Sequence, residues 1–147
     1  MTAIFDTHAH YDDDAFNEDR EQLLAALPEQ GIARVVDVGA SLASCRKVLE
    51  LMERYDYIYG AIGVHPSETA ELDEESYSWL KEQCQKEKCL AVGEIGLDYY
   101  WDKEPEIQAK QRDWFVRQLA LAQQADLPVI IHSRDAAEDT MQIMEKA

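Results

Sequence analysis

The sequence predicts a parallel α/β fold, and three observations carry that expectation. Short apolar runs alternate with segments of helical period, several runs are apolar on both faces, and the intervening segments are long enough for right-handed crossovers. The first run is Ala3 to Asp6. A helix face with Phe16, Leu23, Leu24 and Leu27 follows and stops at Pro28 to Gly31. Ala33 to Val38 makes a second strand of buried type, closed by Gly39. Ser41 or Ser44 can cap the next helix, which carries Val48, Leu49, Leu51 and Met52, and Tyr57 to Ile62 is the third strand. Leu72 to Cys84 reads as a helix whose first turn holds Asp73, Glu74 and Glu75, where negative charge meets the positive end of the helix dipole. Cys89 to Ile95 is the fourth strand. Ile107 to Gln124 is the longest helix, with Trp114, Phe115, Leu119 and Ala122 on one face, and Pro128 to His132 is the fifth strand. A sixth element starts near Asp135.

Composition narrows the class of protein. With 147 residues, 46% of them apolar and 30% charged, the chain can bury a core of its own, which excludes disorder and low-complexity architectures. No apolar stretch approaches the roughly 20 residues of a membrane helix. No basic region followed by an apolar segment opens the sequence, so a cytoplasmic location is expected. The net charge of -16 repels phosphate backbones and argues against a passive nucleic-acid binder. It leaves room for an enzyme whose bound divalent ions invert the local sign. Cys45, Cys84 and Cys89 are an odd number without paired C-x-x-C spacing, which reads as reduced thiols.

All four histidines lie at the C-terminal ends of expected strands or just beyond them. In parallel α/β folds ligands bind along that edge. His8 and His10 stand two residues apart, so strand periodicity turns both rings to one face, where two nitrogens can hold a cation; a pair of surface histidines beside a turn fits the same letters. Glu94 lies between Gly93 and Gly96 at the end of an apolar strand. That suits a carboxylate bridging two ions, or one paired with an arginine in an ordinary loop. His132 ends the run Ile130-Ile131, and Arg134 offers a planar five-donor fork for an anionic group. Asp135 reads best as a helix cap. His65, held extended by Pro66, can line the cleft as a hydrogen-bond donor, or serve as a turn residue. Tyr99, Tyr100 and Trp101 read as a hydrophobic plug or as a stacking surface for bases. The runs Asp12 to Asp14 and Glu71 to Glu75 read as solvated faces and helix starts, and Trp79, Trp114 and Phe115 as core.

Taken in order, FDTHAHYD, GVHP, VGEIGLDYYW and IIHSRDA resemble the TatD-type metal-dependent deoxyribonuclease family of amidohydrolase-like TIM barrels. The resemblance covers essentially the whole chain. It implies a (β/α)8 barrel, of which about five β/α units are present, two divalent metal ions (zinc, magnesium or manganese) and cleavage of DNA phosphodiester bonds by a metal-activated water. By matching motif, His8, His10 and Glu94 are expected to hold one ion and Glu94 with His132 the second, while Glu94, His65 and Arg134 serve catalysis. The family draws a further histidine and aspartate from later strands that this sequence lacks. Residues 1–147 are therefore expected to form a single hydrolase domain cut short at its C-terminus, with a DNA substrate, no membrane and no stable protein partner. In isolation it is expected to be inactive or nearly so and to associate through its open sheet edges. Hydrolysis of a small ester, amide or aminoacyl-RNA, and a half-barrel completed by a partner, remain the alternatives.

Overall fold

The computed structural model describes residues 3–147. Five parallel strands follow chain order across one sheet: β1 (Ile4–Ala9), β2 (Ile32–Val38), β3 (Ile58–Ala61), β4 (Cys89–Asp98) and β5 (Val129–Arg134). Helices α1 (Arg20–Ala26), α2 (Leu42–Arg54), α3 (Glu74–Gln83), α4 (Pro105–Ala125) and α5 (Ala137–Met144) alternate with them, and the whole is a curled half-barrel. β1 and β5 are the outer strands, and Ile4 and Phe5 on β1 are exposed.

Alternation along β2 shows how the layers are made. Val35 packs with Leu24, Leu27, Leu51 and Ile58 under the helices, while its neighbours Val36 and Val38 join Ala61 and Ala91 on the opposite face. The largest cluster lies between α2, α3, α4 and the sheet, with Val48, Leu80, Ile95, Trp114, Phe115 and Leu121 buried in it. Among the described residues, no helix is long and apolar enough to cross a membrane. The three cysteines are free and buried.

The differences from the expected elements have local causes. β1 runs on to Ala9, because its ladder with β2 continues through the polar residues to Ala9 opposite Asp37. Phe16 belongs to a separate 3-10 turn (Asp14–Phe16), where the Asp13 carboxylate accepts from the Ala15 amide at 2.8 Å. A second 3-10 stretch (Pro66–Glu71) precedes α3, whose cap is Asp73: its carboxylate accepts from the Ser76 amide while the Ser76 hydroxyl accepts from the Asp73 amide. Ser41 caps α2.

Three side-chain expectations are corrected. Asp135 caps nothing: it takes φ +52, α5 begins after Ala136 without a side-chain cap, and Ser133 pairs with the Thr140 hydroxyl. Asp12 is buried rather than solvated, because its carboxylate accepts from the Ser44 hydroxyl at 2.6 Å. Trp79 is only partly buried, with the Arg46 guanidinium over its ring.

Candidate metal centre

At the C-terminal ends of the strands, β1, β4 and β5 deliver imidazoles and a carboxylate to one point. His8 and His10 leave β1 on the same face, and their Nε2 atoms stand 3.1 Å apart. The Glu94 carboxylate lies beside them, with Oε2 at 3.6 Å from His8 Nε2 and 4.0 Å from His10 Nε2. Its other oxygen, Oε1, lies 3.3 Å from His132 Nδ1. The ligand atoms of His8, His10 and Glu94 fall within 4.8 Å of one another, as do those of His65, Glu94 and His132. Glu94 is thus shared by two clusters.

The backbone explains why Glu94 can reach that position. The β4–β5 register shifts between Val92 and Ile95, which frees the Gly93–Glu94 segment from its neighbour strand. The Glu94 amide donates instead to the Gly39 carbonyl at 2.8 Å, and the Gly93 amide to the Ile62 carbonyl at 3.1 Å. A side chain on Gly63 would come within 2.8 Å of the Gly93 backbone, so only glycine allows the two segments to approach.

Hydrogen bonds assign the ring nitrogens. His10 Nδ1 donates to the Val38 carbonyl at 2.9 Å, which leaves the Nε2 lone pair facing His8 and Glu94. His132 Nε2 pairs with Asp98 Oδ2 at 2.9 Å. Burial pushes the Asp98 carboxyl up, but the His132 hydrogen bond and the amides of Tyr100 and Trp101 outweigh it and hold the group below its ordinary range. An ionised Asp98 can only accept, so His132 donates from Nε2–H and its Nδ1 lone pair meets Glu94 Oε1. Lone pairs facing one another at such distances need positive charge between them, and imidazole nitrogen with carboxylate oxygen is a donor set that divalent zinc or manganese accepts. The residues therefore fit a metal ion, and each anchored histidine gives its other N–H to a carboxylate or carbonyl, as ligating histidines do.

His65 differs. Its Nδ1 accepts from the Ser67 amide at 3.2 Å, so the neutral ring carries its proton on Nε2. Burial first, then the neighbouring His132, lowers its pKa and keeps the ring neutral near pH 7. The two rings stand 4.2 Å apart. Arg134 lies farther out: it is exposed, and its guanidinium covers the Tyr100 ring at 4.1 Å. Beside the centre opens a cleft of about 560 Å³, whose walls include His10, Asp13, Ser41, Lys47, Ser67 and Glu68.

Three positions were not singled out by sequence reasoning. Asp98 orients His132. Gln118 on α4 clasps Val64, next to His65, accepting from its amide at 2.8 Å and donating to its carbonyl at 3.0 Å. Gln111, seven residues earlier on the same face, makes the same pair of bonds with Asp98 at 2.9 and 3.1 Å. Two glutamines at that spacing on an otherwise apolar helix face were the available signal.

Comparison with known proteins agrees with this geometry. A model of the family described as TatD related DNase matches residues 5–147. The chain is 41% identical over 143 residues to the uncharacterized metal-dependent hydrolase YabD of Bacillus subtilis, covering 97% of this chain and 55% of that protein. It is 30% identical over 133 residues to the 3'-5' ssDNA/RNA exonuclease TatD of Cronobacter sakazakii, covering 90% of this chain and 50% of the relative. The crystal structure of the TatD homologue YjjV from Escherichia coli superposes with a TM-score of 0.86 at 32% identity, over 97% of this chain and 55% of the other. The chain spans about half the length of the relatives it matches. With imidazoles and a carboxylate gathered at the mouth of a half-barrel and the family model running from Phe5 to the last residue, the chain belongs to the TatD family of metal-dependent hydrolases.

Proposed function

We propose that the protein carrying this chain cleaves phosphodiester bonds of DNA at this centre. One observation supports the reading above the others: the Glu94 carboxylate turns one oxygen toward His8 and His10 and the other toward His132. In this reading His8, His10 and Glu94 would hold one divalent cation, and Glu94 with His132 would hold a second. Such ions supply Lewis acidity that generates a nucleophile from water near neutral pH and offsets charge on the phosphoryl group.

The chain's own residues prepare the site around them. The Val38 carbonyl and the Asp98 carboxylate fix the tautomers of His10 and His132, so both rings present lone pairs without reorganising. His65 presents Nε2–H, the donor a phosphoryl oxygen requires, and its lowered pKa keeps it in that form at neutral pH. Arg134, on the same face of β5 as His132, offers its fork to the next phosphate along the strand.

The second reading, hydrolysis of a small ester, amide or aminoacyl-RNA, is favoured by one observation. The net charge of -16 opposes a polyanionic substrate. Assay of the intact protein with Mg²⁺, Mn²⁺ or Zn²⁺ against single-stranded DNA and against aminoacyl esters separates the two. We expect chelator-sensitive release of nucleotides from DNA. Turnover of the esters alone would overturn the nuclease reading.

A further inference from the structure

The segment after β4 carries aromatic surface that neither the core nor the metal centre uses. Trp101 is 70% exposed and Tyr100 41% exposed, with their rings 4.5 Å apart and nearly perpendicular. The Arg134 guanidinium lies over Tyr100 at 4.1 Å and near Trp101 at 5.8 Å. The expected hydrophobic plug is therefore absent at these two residues; only Tyr99 turns inward, where its hydroxyl donates to Asp139 at 2.6 Å and accepts from Arg112 at 2.9 Å.

This platform is tied to the metal centre by one side chain. Asp98 Oδ1 accepts from the Tyr100 amide at 3.0 Å while its Oδ2 holds His132 at 2.9 Å. On the β5 side, the Tyr99 amide donates to the Arg134 carbonyl at 2.9 Å. The backbone at Tyr99 and Tyr100 is thus held at the rim.

We propose that Tyr100, Trp101 and Arg134 form a stacking platform for an unpaired nucleobase next to the phosphodiester being cleaved. The proposal rests on the nuclease reading and names how the substrate is gripped. A chain of net charge -16 gains little from phosphate neutralisation, the usual source of affinity for nucleic acids. Base–aromatic stacking needs no positive field and tolerates any base. The Arg134 guanidinium lies over one ring face of Tyr100, so the 70% exposed Trp101 ring offers the larger open surface.

The test uses the intact, metal-loaded protein and two labelled octamers with phosphorothioate linkages, oligothymidylate and its abasic counterpart of equal charge. Anisotropy reads the two dissociation constants. We expect the wild type to bind the thymidylate about 10- to 100-fold more tightly than the abasic strand. Trp101→Ala should lose most of that preference, and Trp101→Phe should keep most of it. A preference absent in the wild type, or as large in Trp101→Ala as in the wild type, overturns the platform. Cleavage of unmodified oligothymidylate is measured alongside. Cleavage without a base preference defeats the platform alone, whereas a base preference without cleavage of any DNA defeats the nuclease reading, and with it the platform's place beside a scissile bond, and leaves only base stacking at Trp101.

Discussion

Asp37 is the least comfortable side chain in the structure. It is fully buried; Oδ1 accepts from the Tyr11 amide at 2.6 Å, and Oδ2 has no partner among the described residues. Burial, followed by the neighbouring Asp12, raises its pKa from 3.8 to about 7. Between those two values the native state keeps a proton that the unfolded chain has released, so stability falls as pH rises from about 4 to 7 and the loss persists above. Asp37→Asn retains the acceptor for Tyr11 and stays neutral at every pH. In metal-free protein it should add about 2 kcal/mol or more at pH 8 and almost nothing at pH 4, read from chemical denaturation. A gain as large at pH 4 as at pH 8 would contradict the assignment. Nothing in the letters pointed to this residue, since Asp37 breaks the apolar run of β2 as any exposed strand residue would. The histidines and Glu94 were legible because few residue types ligate metals and all of them followed apolar runs. The tautomers were not, because they depend on Val38, Ser67 and Asp98, partners that only folding supplies.

At the scale of elements, β1, β4 and β5 bring the side chains of the centre together and α4 braces the backbone beside them. Strand–helix alternation and the apolar face of α4 were readable from period alone, and Trp114 and Phe115 are buried as expected. The register shift at Gly93–Glu94 was not readable, because it depends on where β5 and the end of β2 lie in space. The apolar runs stop short of the ends of β1, β4 and β5, since polar residues beside the site remain in the ladder. Gly96 is where this arrangement is least tolerant. It adopts φ +141, and a Cβ there would lie 1.9 Å from the His132 carbonyl oxygen. Gly96→Ala must therefore push β5 away from β4 and carry His132 with it. We predict a loss of about 3 kcal/mol in denaturation of the metal-free protein. A variant within 0.5 kcal/mol of the wild type would show that the two strands are not held as described.

At the scale of the molecule, the half-barrel sets three strand ends around one carboxylate, and residues far apart in sequence meet only because the sheet curls. The parallel pairing followed from crossover length, and the order β1 to β5 only from the resemblance carried by the four ordered motifs. On the proposed reading a strongly acidic protein gains from this layout, because positive charge would enter as bound cations at the centre rather than as a basic surface. The account therefore depends on where those cations sit. Crystals of the intact protein grown with Mn²⁺, with anomalous scattering recorded above and below the manganese edge, answer this directly. The prediction is two peaks sharing Glu94, one also against His8 and His10 and the other also against His132. A single peak, or peaks away from Glu94, would contradict it.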